Sequence, residues 1–368
     1  MATYELIPKL VRAAYADDKK AIENLSIMLG RSLKKEYPGI ATEIMDIAAN
    51  HKVGGNVYRS VNIDTVPIDA ESRKNLVKIE ENYEELPPIL EKTVIDQIED
   101  FIKERALIEK FLEQGIIPSN SLLLYGKPGV GKTYTAKWIA NQLHMPMITV
   151  DLATTMSSYL GKSGQNIKSI FEYTKKENVI LFLDEIDAIA KKRDDEGDLG
   201  ELKRLVNVLL KELEDCPSSC VIIGATNHPE MLDKAIWRRF DRSIEVTIPD
   251  AKSRADIISR SLSKWKDDIS KGVIDFIITQ MEGKSPADIC RLSEHIKRQI
   301  IMNEDQDINI LAIREVCRIK GIETKEEKIE LCKEIKNANP KLSVRDISDI
   351  TLISSASVAR YLRGVVYE

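Results

Sequence analysis

The sequence predicts an α/β fold: a parallel sheet clad by helices, with helical segments before and after it. Three observations carry that expectation. Between residues 89 and 250, short β-branched runs ("MITVDL", "VILFLDEID", "VIIGATN", "SIEVTIP") alternate with longer helical patterns such as "GQNIKSIFEYTKK" and "ELKRLVNVLLKELED". Alternation of this kind belongs to a parallel sheet buried on both faces. One strand-to-helix junction, "SLLLYGKPGVGKTYTAKWIANQL" at residues 121–143, is studded with glycines. After Pro249 the strand pattern stops and the chain reads as helical throughout.

Taken in order, residues 1–60 form a helical N-terminal module, with Leu6, Leu10 and Ala13, then Ile22, Leu25 and Leu29, at helical spacing. Paired glycines and a proline in "VGGNVYRSVNIDTVP" close it. Residues 61–88 are a linker with a charged helix from about Ala70 to Glu85, stopped by Pro87-Pro88. Residues 89–250 hold the sheet, residues 251–322 a small helical domain and residues 323–368 a separate tail. The tail, "KLSVRDISDITLISSASVARYLRG", reads as a helix capped by Ser343, a tight turn at 352–354, and a second helix with Val358, Tyr361 and Leu362 inward. This resembles a helix-turn-helix, exposing Ser355, Ser357, Arg360 and Arg363. Such a pair of helices serves DNA, a protein partner or only as a structural cap, and the near balance of acids and bases over the tail counts against DNA.

Composition narrows the class. A net charge of −5 on 368 residues excludes a protein coated in basic residues. Five scattered cysteines read as reduced thiols, and "CPSSC" lacks the second Cys/His pair that zinc needs. The N-terminus lacks the apolar core of a signal peptide, and no apolar run reaches the ~18 residues of a membrane span. A cytoplasmic protein with no membrane contact is expected.

The junction fits G-x-x-x-x-G-K-[ST] at Gly126, Gly131, Lys132 and Thr133, with Gly129 as an extra glycine. Glycines let backbone N–H groups curl around phosphate oxygens, and the helix aims its positive end at the same charge. ATP would therefore lie along Gly126, Lys127, Pro128, Gly129, Val130, Gly131, Lys132, Thr133 and Tyr134, with Lys132 on the outer phosphates and the Thr133 hydroxyl on Mg²⁺. "VILFLDEID" delivers Asp184 and Glu185 at the carboxyl end of a strand, where ligands of open α/β sheets bind. Asp184 suits the Mg²⁺ shell, through water, and Glu185 suits a catalytic role in polarising a water for attack. Asn227, ending "VIIGATN", either positions that water or caps a turn.

Together these segments resemble the AAA branch of the AAA+ ATPases, P-loop NTPases with a parallel core and a helical lid. The resemblance spans about residues 90–320. "FLEQGIIPSNSLLLYGKPGVGKT" is similar to the approach to the nucleotide loop, with Lys127 where a proline is common, and "LFLDEIDAIAKKR" is similar to the Walker B strand. "IIGATNHPEMLDKAIWRRFDRSIEVTIPD" resembles the region with the sensor asparagine, Asn227, and the arginine fingers, Arg238 and Arg239. "MEGKSPADICRLSEHIKRQII" resembles the start of the lid, where Ala287 would touch adenine and Pro286 replaces a common glycine. The resemblance implies fingers that complete a neighbouring subunit's site, hence a homo-oligomer, in the family usually a hexameric ring. Relatives often separate the two arginines by Pro-Gly; here they are adjacent, which leaves the principal finger open. Tyr159-Leu160-Gly161 resembles the pore loop that grips a polypeptide, and "RDDEGDLGE" at 193–201 would be a second such loop.

An ATP-driven protein unfoldase with a protein client is the function implied; the alternative is a nucleic-acid motor or loader docking DNA through its tail. With no H-E-x-x-H and only four histidines, any proteolysis belongs to a separate protease. The layout also resembles bacterial AAA ATPases paired with a subtilisin-like protease.

Overall fold

The computed structural model describes residues 86–152, 163–177, 179–188, 199–321 and 324–363, together with residues 67, 76–80 and scattered positions between 6 and 44. The chain divides into two compact units: Met1–Asp64 with His144–Pro146, and Thr65–Leu143 with Met147–Glu368. In the first unit, residues 6–11 are helical and Leu6, Leu29 and Ala41 are buried. Everything below concerns the second.

Its sheet holds β1 (Lys78–Glu80), β2 (Ser121–Tyr125), β3 (Met147–Asp151), β4 (Ile180–Asp184), β5 (Val221–Thr226) and β6 (Arg242–Glu245), in the order β1-β3-β4-β5-β2-β6. Strands β2 to β6 pair in parallel, and β1 adds an antiparallel edge to β3. The continuous apolar runs of β2, β4 and β5 are buried along their length, as strands covered on both faces require. Helices α1 (Lys92–Ala106), α2 (Ile108–Glu113), α3 (Lys132–Gln142), α4 (Ser163–Glu177), α5 (Leu199–Glu214) and α6 (Lys234–Trp237) accompany it.

Strand β1 corrects the expectation of a charged helix over residues 70–85. Glu80 is 6% exposed, and its carboxylate meets Lys137 at 3.0 Å, Lys78 at 3.1 Å and the Thr149 hydroxyl of β3 at 3.1 Å. Burial alone would raise the Glu80 carboxyl, but these partners bring it below the ordinary range. A charge that looks solvated in the sequence is instead held by Lys78 of its own strand and Lys137 of α3.

Beyond the sheet come α7 (Ala251–Ser261), α8 (Lys271–Gln280), α9 (Pro286–Met302) and α10 (Ile308–Lys320), then α11 (Lys325–Ala338), α12 (Val344–Thr351) and α13 (Ser355–Arg363). Side-chain caps start most of them: Asp250 on α7, Ser270 on α8, and reciprocal capping boxes at Ser285/Asp288, Thr324/Glu327 and Ser343/Asp346. The tail, expected as a separate module from residue 323, is not cored separately. Ile258, Val273, Ile289 and Leu311 of the lid share one apolar cluster with Leu331, Ile335, Ile347 and Val358 of the tail. Gly272 permits the closest approach, since a Cβ there would sit 2.4 Å from the Ala338 carbonyl oxygen.

Candidate functional site

Strand order explains why three distant segments meet. The glycine loop follows β2, Asp184 ends β4 and Asn227 follows β5, and β5 lies between the other two strands. Asn227 therefore stands between the loop and the acids.

The loop itself needs its glycines. Gly126, Gly129 and Gly131 have φ of 147°, 78° and 104°, backbone space that L side chains rarely occupy. At Gly126 a Cβ would also lie 2.2 Å from the Val246 carbonyl oxygen. Helix α3 begins directly after Gly131 with no side-chain cap, so its first N–H groups are left for a ligand. Lys132 is 7% exposed and donates to the carbonyl oxygens of Gly126 (2.8 Å) and Lys127 (3.0 Å) and to Asn227 Oδ1 (2.6 Å). Burial lowers the proton affinity of this ammonium, opposed by the nearby Asp184 and Asp187 carboxylates. These three acceptors are neutral, and an anionic phosphate is the stronger partner for a buried cation.

Thr133 Oγ1 lies 3.4 Å from Asp184 Oδ2, two hard oxygen donors side by side at the foot of α3. That donor set fits a magnesium ion. The Glu185 carboxylate is exposed and has no hydrogen-bond or ion-pair partner among the described residues. Its backbone sits in the left-handed region at φ 49°, with its N–H donated to Asp184 Oδ1 at 2.9 Å. A non-glycine residue held there is strained, and the Ile186 N–H bond to the Ala225 carbonyl (3.0 Å) helps to hold it.

Sequence reasoning missed Asp187. Only 2% exposed, its Oδ1 accepts from Thr226 Oγ1 (3.0 Å) and from the Asn227 N–H (3.3 Å), fixing the backbone that presents Asn227. The signal was the third acid of "DEID", indistinguishable by type from a solvated one. Also missed were Ile89, Ile257 and Cys290, which together with the expected Val130, Tyr134 and Ala287 wall a cavity of about 310 Å³ beside the loop. Apolar walls carry no chemical signature in a sequence. Ala287 donates its N–H to the Gly129 carbonyl at 3.1 Å, and a Cβ on Gly129 would meet Ser285 Oγ at 2.8 Å. Pro286 occupies the first turn of α9, where its fixed φ is accommodated.

The two arginines part company. Ser121 Oγ, at the amino end of β2, donates to the Arg239 carbonyl (3.4 Å), some ~13 Å along the strand from the loop end at the usual rise. Arg239 forms a surface ion pair with Glu214 at 3.0 Å, whereas the exposed Arg238 side chain has no partner among the described residues. Trp237, edge-on to Tyr125 with centroids 5.0 Å apart, anchors the short helix that precedes them. Tyr159, Leu160 and Gly161, and residues 193–198 of the acidic loop, lie outside the described residues. Among the described residues no helix is long and apolar enough to cross a membrane, and no cluster of His, Cys, Asp and Glu forms a metal site.

Residues 122–248 match the family described as "ATPase family associated with various cellular activities (AAA)". An uncharacterized AAA family ATPase, y4kL, of Sinorhizobium fredii is 34% identical over 50% of this chain and 56% of its own length. The proteasome-activating nucleotidase of Methanocaldococcus jannaschii is 36% identical over 58% of this chain and 52% of its own. The ATP-dependent zinc metalloprotease FtsH of Aquifex aeolicus is 34% identical over 64% and 38%. This chain thus spans about half the length, or less, of these relatives. The crystal structure of the FIGL-1 AAA domain superposes with a TM-score of 0.54 at 18% identity, over 70% of this chain and 90% of that one, a likeness of fold.

Proposed function

We propose, from the match of residues 122–248 to the AAA family of ATPases, that this chain hydrolyses ATP in a ring of identical subunits to remodel a protein client. One observation carries the reading: Lys132, Asn227, Thr133 and Asp184 converge on a glycine loop whose buried ammonium rests on neutral acceptors.

The phosphates would lie on the N–H groups of the loop and of α3, with Lys132 exchanging its carbonyl partners for phosphate oxygens and the base in the apolar cavity beside Ala287. Thr133 and, through water, Asp184 would hold magnesium, whose charge offsets that of the β- and γ-phosphates when bound. Glu185 accepts a proton from the attacking water, Asn227 orients that water, and the bond from the γ-phosphorus to its bridging oxygen breaks, giving ADP and phosphate. Arg238, exposed after α6 and without a partner among the described residues, would serve the site of the next subunit, where it stabilises charge on the transferring phosphoryl group. Arg239, tied to Glu214, is the supporting arginine.

For the client, the reading rests on the resemblance of Tyr159-Leu160-Gly161 to an aromatic pore loop, whose ring face grips a chain without regard to sequence. The likeness to a proteasome-activating nucleotidase supports delivery to a separate protease, and the likeness to an ATP-dependent zinc metalloprotease supports a link to proteolysis.

A mixing experiment tests the shared site. Glu185→Gln and Arg238→Ala are each expected to be inactive alone. An equal mixture should regain about a quarter of the wild-type turnover, because that share of interfaces pairs an intact Glu185 with an intact Arg238. Mixtures that stay inactive despite subunit exchange would overturn the reading.

A further inference from the structure

The function proposed above leaves the tail unused. Its charges cancel in the sequence, and α11 balances Glu326, Glu327, Glu330 and Glu334 against Lys325, Lys328, Lys333 and Lys336. On α12 Arg345 stands with Asp346 and the exposed Asp349, whereas α13 carries Arg360 and Arg363 and no acid. Asp346, on α12, is engaged at its own helix start, accepting the Ser343 N–H at 2.7 Å.

Orientation is fixed from within. Ile347, Ile350 and Val358 are buried in the shared core and Tyr361 and Leu362 pack against it, so α13 turns the opposite stripe outward. That stripe is Ala356, Arg360 and Arg363, at positions i, i+4 and i+7, all exposed. Between α12 and α13 the turn is only Leu352–Ser354, closed by Leu352 at φ 59° and by Ser354 Oγ accepting the Ser357 N–H at 3.3 Å. The first turn of α13 therefore carries only serines and alanine, small enough for close approach to a groove floor, with arginines one and two turns later. Arg345 is exposed on α12, the helix that in such a pair crosses the backbone.

We propose that α12 and α13 form a docking surface for duplex DNA, α13 entering the major groove with Ser355 and Ala356 foremost and Arg360 and Arg363 on phosphates. The charge complementarity favours a polyanion, and the helix's small leading face favours a groove.

Fluorescence anisotropy of the full chain with a labelled duplex of about 30 base pairs, at ~50 and ~200 mM salt, tests this. Two phosphates neutralised per tail predict binding weaker by about tenfold at the higher salt. Arg360→Ala/Arg363→Ala should lose at least about tenfold at low salt and flatten the salt dependence, with an unchanged circular-dichroism melt showing that the tail still folds. Leu352→Ser, altering a side chain 91% exposed at the turn and outside the stripe, should bind as the parent does. Absence of duplex binding at low salt, binding indifferent to the double change, or equal affinity for poly-glutamate would each overturn the proposal. Loss on Leu352→Ser alone would do the same and identify a protein-docking turn instead.

Discussion

The two ends of the parallel sheet use the same residue types to opposite effect. At the amino end a cluster of polar groups is matched by the chain itself. Arg105 donates to the carbonyls of Ser119 (3.4 Å), Ser218 (2.7 Å) and Ser219 (3.4 Å), and Asp241 Oδ2 accepts from Asn120 N, Ser121 N and Ser121 Oγ. Glu104 takes the Ser119 N–H and hydroxyl and is bridged by Arg242. At the carboxyl end Glu185 is exposed and strained, α3 starts without a side-chain cap, and Lys132 rests on neutral oxygens. A saturated cluster stabilises; one whose partners are weaker than a ligand's is built to bind.

Three changes probe that contrast, in falling order of effect. Glu185→Gln at the carboxyl end should lower turnover by about 10²–10⁴-fold, and because the exposed carboxylate has no partner among the described residues to lose, the unfolding midpoint should be no lower. Steady-state phosphate release and a urea melt measure both, and a marked loss of stability would erase the distinction. Asp241→Ala at the amino end removes the acceptor of two backbone N–H groups and a hydroxyl, and should cost about 2 kcal/mol in the urea melt. A loss within experimental scatter would mean that this end is not a stabilising cluster. Glu104→Gln gives the smallest effect, seen in pH dependence. Burial works to raise the Glu104 carboxyl, but Ser119 and Arg242 outweigh it and hold it below the ordinary range. A carboxyl depressed in the folded state stabilises above its unfolded value, ~4.3, and that stability fades as pH falls through the folded value. The acid limb of thermal stability below about pH 4.3 should therefore be shallower in the variant. Parallel limbs would show that the carboxylate contributes nothing.

Much of the candidate site was legible because its demands are local. Only glycine tolerates the backbone at positions 126, 129 and 131, and a lysine and a hydroxyl must follow at the helix start, so the requirement is written in consecutive residues. Asp184 and Asn227 were legible for a related reason, since each closes an apolar strand that announces itself. What stayed hidden depends on partners distant in the chain. Strand β1 reads as charged surface until Lys137 and Thr149 are set beside Glu80. The boundary between lid and tail reads as real until Ala338 is found against Gly272. The unlike surroundings of Arg238 and Arg239 depend on Glu214, more than twenty residues upstream.

The seam at Gly272 has a mechanical meaning. With a shared core and not a tether between them, α8 and α11 pack lid and tail into one body. That body reaches the phosphate loop where the Ala287 N–H meets the carbonyl of Gly129. A partner bound at α13 would then act on the loop through packed side chains, and by reciprocity whatever grips the loop would bias the tail.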